Sequence, residues 1–179
     1  MKVYARRFNL YLLLVLAVAF FCGCATPEKK KKDHTVAALR VHLQANPNAG
    51  GTTKDITVLR SDPVSVSISR DPVLTEANIH SAEVIETPGG FAIQIHFDES
   101  ASLMLEQYSA ANPGRHFVIF GQWGDKLANG RWLAAPLITR RISNGVLAFT
   151  PDITRAETDQ LVLGLNNVAA KNKKSIFNK

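Results

Sequence analysis

The chain has 179 residues, 46% apolar and 20% charged, a globular composition that excludes a wholly disordered or collagen-like polymer. Its formal charge of +6 sits at the ends: Lys2, Arg6 and Arg7 open the chain, Lys29 to Lys32 form a run, and Lys171, Lys173, Lys174 and Lys179 close it. Residues 34–170 hold 10 basic and 13 acidic side chains, so the body is near −3, which argues against a nucleic-acid-binding domain.

Leu10 to Cys22 is an unbroken apolar run of 13 residues behind three positive charges. Secretory h-regions are about 7–15 residues long, whereas a membrane-spanning helix needs about 20. The run therefore reads as an export signal. Phe21-Cys22-Gly23-Cys24 follows, and it resembles the lipobox of bacterial lipoprotein precursors. The resemblance implies a signal peptide over 1–23 and a diacylglyceryl thioether with fatty acyl chains, palmitate among them, on Cys24. It also implies attachment to a membrane of the bacterial envelope, facing the periplasm. Gly23 fits the pattern; Phe21 and Cys22 replace the usual Leu and the usual Ala or Ser. Ala25 stands where some bacteria place the Asp that retains lipoproteins at the inner membrane, which points to the outer membrane. No cysteine follows Cys24, so the body contains no disulfide. Residues 24–34 are polar and aperiodic and read as a flexible tether with a reach of about 30 Å. Its lysines either attract anionic headgroups or simply solvate the spacer.

The body is expected to begin at residue 35 with strands. Leu39, Val41 and Leu43 alternate with Arg40, His42 and Gln44, and Val64, Val66 and Ile68 alternate with serines. Each pattern predicts a strand with one wet face. Ile56 and Val58 mark a further short strand, and Asp62-Pro63 and Asp71-Pro72 are turns. Residues 79–86 and 91–97 predict a hairpin across Thr87-Pro88-Gly89-Gly90. A helix is predicted from Glu99 to Ala111, capped by Asp98 or Ser100, with Ala101, Met104, Leu105 and Tyr108 as its buried stripe. Asn112-Pro113-Gly114 ends it.

Arg115–Trp123 and Arg131–Arg140 predict a second hairpin around a long tip. Its first arm is apolar on both faces, with Phe117 and Ile119 on one and Val118 and Phe120 on the other. Such a strand is covered on both sides, the strands of 35–85 being the expected cover, or it offers a face to a partner. After a short strand at Val146–Phe149, Thr154-Arg155-Ala156-Glu157 forms a capping-box pattern. It opens a helix whose apolar face is Leu161, Val162, Leu165, Val168 and Ala169. Residues 171–179 read as a frayed basic tail.

In this order, Phe97-Asp98, Gly114-Arg115, Phe117-Val118-Ile119-Phe120, Ala135-Pro136-Leu137-Ile138, Ile142-Ser143-Asn144-Gly145 and Ile153-Thr154 with Glu157, Leu161, Val162 and Leu165 make a pattern. The pattern resembles the periplasmic head subdomain of SecD and SecDF protein-export subunits. The resemblance is clearest over 75–168 within a domain of 35–170. It implies an α+β fold: a mostly antiparallel β-sheet with two helices packed on it. It rests on turn, cap and core positions and therefore speaks to fold before function. The family's proton-driven transmembrane motor has no counterpart after residue 23, so the resemblance implies a head that touches polypeptide or partners.

No hydrolase, zinc-protease or nucleotide-binding motif is present. The five histidines (34, 42, 80, 96 and 116) have no zinc-motif spacing; His42 and His96 fall on polar strand faces and read as solvated. Asp98-Glu99 reads as a cap and not as an acid/base pair. No catalytic residue, metal or cofactor is expected beyond the lipid on Cys24. Trp123, Arg131, Trp132, Arg140 and Arg141 are the candidate partner-binding residues, since Arg and Trp are enriched at interaction sites. The competing reading makes Trp132 a core residue or a clasp against Trp123. The expected function is a non-enzymatic, membrane-tethered binding module for exported or unfolded polypeptide or an envelope partner. The alternative is a structural or assembly lipoprotein of a larger envelope complex.

Overall fold

The computed structural model describes residues 35–47 and 52–177, with side chains as far as Lys174; the signal segment, Cys24 and the tether lie outside the described residues. In chain order the described elements are β1 (Ala38–Leu43), β2 (Thr53–Val58), β3 (Val64–Ser69), β4 (Leu74–Thr75), β5 (Ile79–Thr87) and β6 (Gly90–Phe97). They continue with α1 (Glu99–Ala111), β7 (Phe117–Trp123), β8 (Asn129–Ala134), β9 (Val146–Phe149) and α2 (Arg155–Phe177). This is the expected α+β architecture, and all the strand pairs are antiparallel.

The strands divide into a four-stranded sheet in the order β4-β1-β7-β8, a three-stranded sheet β5-β6-β9, and a separate β2–β3 hairpin. Period-two alternation sends Leu39 and Val41 of β1, Ile119 of β7 and Leu133 of β8 into the main core. There they join Ile93, Ile95 and Phe97 of β6, Ala101 and Leu105 of α1, and Leu161, Val162 and Leu165 of α2. The opposite face of the four-stranded sheet is covered by the β2–β3 hairpin. Ile56, Val58, Val66 and Ile68 pack on Val118, with Trp132 and Ala135 alongside. The doubly apolar β7 is thus covered on both sides, as expected of a central strand.

Local chemistry sets the element ends. Asp98 caps α1 by accepting from the Ala101 N–H at 2.8 Å. Thr154 and Glu157 form the expected capping box on α2: the Thr154 N–H donates to the Glu157 carboxylate at 2.9 Å, and the Glu157 N–H donates to Thr154 Oγ1 at 3.3 Å. The Thr154 N–H and the Thr154 hydroxyl, both donating to the Glu157 carboxylate, hold it below its ordinary range. Midway along α2, Asn166 donates to and accepts from the backbone of Ala82, both at 2.8 Å. A side chain thereby occupies the outer edge of β5 where another strand would pair.

The structure corrects four expectations. Met104 is 37% exposed, because α1 meets the sheets along a narrower seam of Ala101, Leu105 and Ser109. Ser109 is tolerated there because its hydroxyl donates to the Glu106 carbonyl and accepts from the Ile142 N–H. β8 ends at Ala134 instead of continuing to Arg140. The Pro136 and Ile138 carbonyls instead accept from the Phe117 and Gly114 N–H groups, which folds this segment back over the start of β7. α2 continues through the basic segment to Phe177, since lysines are good helix formers and suit the negative end of a helix dipole. Finally, His42 is buried, at 6% exposure, because the β2–β3 hairpin covers the face of β1 that read as wet.

Candidate functional site: a cationic, aromatic cleft

The residues singled out from sequence do not converge. Trp123 is 1% exposed in the main core, and its indole N–H has no hydrogen-bond partner among the described residues. Arg131 reaches back to donate to the Asp152 carbonyl at 3.4 Å. Arg140 and Arg141 line a cavity of about 560 Å³ between the 136–144 segment and β9, and Arg141 is already paired with Glu106. Trp132 lies on the opposite face of the sheet from the core. It packs against Phe120, ring centroids 5.0 Å apart, and edge-on to His42 at 5.4 Å. It does not clasp Trp123, because the strand register sets Trp132 opposite Phe120 and Trp123 opposite Asn129.

Trp132 marks a second cleft, of about 430 Å³, between the β2–β3 hairpin and the outer face of the four-stranded sheet. Its lining is drawn from five strands and one turn: Arg40 and His42 of β1, Lys54 of β2, Ile68 of β3, Arg70 beyond it, Phe120 and Gln122 of β7, and Trp132 of β8. Arg40, Lys54 and Arg70 are exposed, while the two aromatic rings are half-buried. Among the described residues no carboxylate lines the cleft, although Asp71 lies near enough for its charge to act on His42. Arg70 Nε donates to the Thr53 carbonyl at 3.2 Å, which holds that guanidinium at the rim. None of the three cations forms an ion pair among the described residues.

His42 occupies the floor. Its Nδ1 donates to the Ser69 carbonyl at 2.9 Å, which links β1 to the end of β3 and fixes the neutral tautomer. Burial lowers its pKa from 6.5, with Arg40 and Lys54 pushing the same way; the Ser69 bond and Asp71 oppose them. The floor is therefore uncharged at neutral pH, and the positive charge stays at the rim. A rim of unpaired cations around an aromatic floor is suited to holding an anionic group beside an apolar one.

Sequence reasoning reached Trp132 and missed the cations. Arg40 and His42 alternate with Leu39 and Val41, so their common face was legible, but what covers that face was not. Lys54 and Arg70 join them only because the hairpin folds across. Among the described residues no cluster of His, Cys, Asp and Glu could hold a metal ion, and no helix is long and apolar enough to cross a membrane.

This arrangement of strands and helices occurs in known proteins. The chain superposes on SecDF, described as a membrane component that enhances protein export, with a TM-score of 0.51 and 18% identity over 76% of this chain and 65% of that one. A SecDF crystal structure in a super-membrane-facing form gives a TM-score of 0.52 and 17% identity over 76% of this chain and 20% of that one. The fold is SecDF-like. The chain spans less than two thirds of either SecDF chain. No family model matches the sequence, and no curated protein matches it. Identity this low carries the fold and not the activity.

Proposed function

We propose that this protein is an envelope lipoprotein, held to a membrane by lipid on Cys24, whose SecDF-like domain holds exported or unfolded polypeptide without chemical conversion. The observation that carries the reading is the cleft, where Trp132 and Phe120 meet Arg40, Lys54 and Arg70 on a fold shared with a component of protein export. Half-buried aromatic rings offer apolar contact to any extended chain, and Gln122 offers a donor and an acceptor to its backbone. The anchor rests on the lipobox resemblance at Cys24, and the periplasmic placement follows from it.

The full-length protein in zwitterionic vesicles should bind a reduced, alkylated secretory protein and leave its native form unbound, as read by fluorescence anisotropy. Equal indifference to both forms would overturn the polypeptide reading. In cells, Cys24→Ala should yield unprocessed precursor or soluble protein; unchanged membrane partition together with unchanged mobility would overturn the anchor. A docking role in a larger envelope complex finds support elsewhere on the surface, where Leu137 is 51% exposed beside Arg140. A stable high-mass species on native electrophoresis, lost in Leu137→Asp, would favour that alternative.

A further inference from the structure

Resting on the polypeptide reading, we infer that the cleft selects acidic segments, taking a Glu or Asp side chain at its rim and an apolar or aromatic side chain at its floor. The argument begins with what the rim contains. Of the 10 basic residues in 34–170, three converge here from separate elements, and none is neutralised by a carboxylate among the described residues. Arg60, Arg141 and Arg155 are each paired with an acid, and Arg115, Lys126, Arg131 and Arg140, which form no ion pair among the described residues, lie outside this cleft, so what marks the three is their convergence. Three like charges gathered around one opening repel one another, and an anion entering the opening relieves that repulsion while forming charge-assisted hydrogen bonds.

The floor supplies the second half. Trp132 and Phe120, both half-buried, and the buried Ile68 supply the apolar part of the same lining, while the three cations are its exposed part. In an extended peptide, residues two apart point to the same side. A Glu and a Phe at that spacing present one carboxylate and one ring together, which matches a cationic rim over an aromatic floor. The shape favours a protruding side chain over a bilayer. Headgroups form a broad surface that is met best by a flat or convex cationic face, whereas these cations surround a recess of about 430 Å³ between two layers of strands.

The test uses the full-length protein in zwitterionic vesicles and a short labelled peptide carrying Glu and Phe two positions apart. Its controls are the same peptide with Gln for Glu and the same peptide with Lys for Glu. The acidic peptide should bind about tenfold more tightly than the Gln peptide, the order provided by two or three partly exposed ion pairs. That margin should vanish in the Arg40→Gln, Lys54→Gln, Arg70→Gln triple variant and shrink in high salt. Trp132→Ala should weaken the acidic and Gln peptides alike, with Trp132→Phe restoring much of the loss. Equal binding of all three peptides would overturn acidic selection and leave the polypeptide reading standing. Binding of none would remove both. An acidic preference retained by the triple variant would place selection outside the cleft and overturn the inference. So would vesicles of anionic phospholipid that displace the peptide from Cys24→Ala protein through the same three cations.

Discussion

A histidine held neutral beneath a ring of cations ties stability to pH. Burial lowers the His42 pKa from 6.5, and Arg40 and Lys54 add to the shift, while the Ser69 carbonyl and Asp71 oppose it. The unfolded chain therefore takes up a proton at a higher pH than the folded one. Stability is whole above 6.5, declines as pH falls through 6.5, and has lost the full contribution below the folded-state pKa. We expect the urea midpoint to fall between about pH 7.5 and 5.5, and His42→Gln to flatten that slope while lowering stability at neutral pH. An unchanged slope in the variant would mean that His42 does not carry the effect. At this same scale Trp123 and Trp132 show the limit of composition. Two tryptophans flanking one loop read alike in sequence, yet strand parity sends one to the core and the other to the cleft.

At the scale of elements, what was legible was local. Thr154-x-x-Glu157 announces the start of α2, and Thr87-Pro88-Gly89-Gly90 announces the β5–β6 turn, because caps and turns are made by residues within four positions of one another. Thr154→Ala removes the acceptor for the Glu157 N–H and should cost about 1 kcal/mol in chemical denaturation. The Glu157 carboxylate, depressed by the same box, should lose its share of stability as pH falls through its lowered pKa, and Thr154→Ala should blunt that acid loss. The end of α2 was not legible in the same way. A Lys- and Asn-rich segment suits a frayed tail or a helix's last turns equally well, and here helix propensity and the helix dipole carry α2 on to Phe177. The same holds for β8, where Pro136 marks a break but not the fold back onto β7.

At the scale of the molecule, the cleft was hidden because it is made by layers and not by motifs. Arg40, Arg70 and Trp132 are far apart in sequence and meet only when the hairpin closes over the sheet. The α+β class and the SecDF-like fold were legible, since they rest on the order and polarity of elements. Long-range coupling also lies at one small residue that alternation could not flag. At Gly164 of α2, an added Cβ would lie 2.7 Å from the Ala37 Cβ and 2.8 Å from the Ala37 nitrogen and the Val36 carbonyl carbon. α2 therefore presses on the backbone that leads into β1. Gly164→Ala improves helix propensity but must push that backbone away. We expect a net loss of about 1–3 kcal/mol, read as a lower denaturation midpoint. A stabilised Gly164→Ala would show that the lead-in gives way freely.

β1 is the first described strand, with β4 on one side and β7 on the other, and it carries Arg40 and His42. A tug on whatever those two side chains hold, opposed by a pull from the N-terminal segment, would load a single strand along its own length. The covalent backbone between those points then carries the load, and the antiparallel bonds from β1 to β4 and β7 are spared it. Tension between the lead-in and the held group therefore passes through one strand and leaves the pairing of the four-stranded sheet undisturbed.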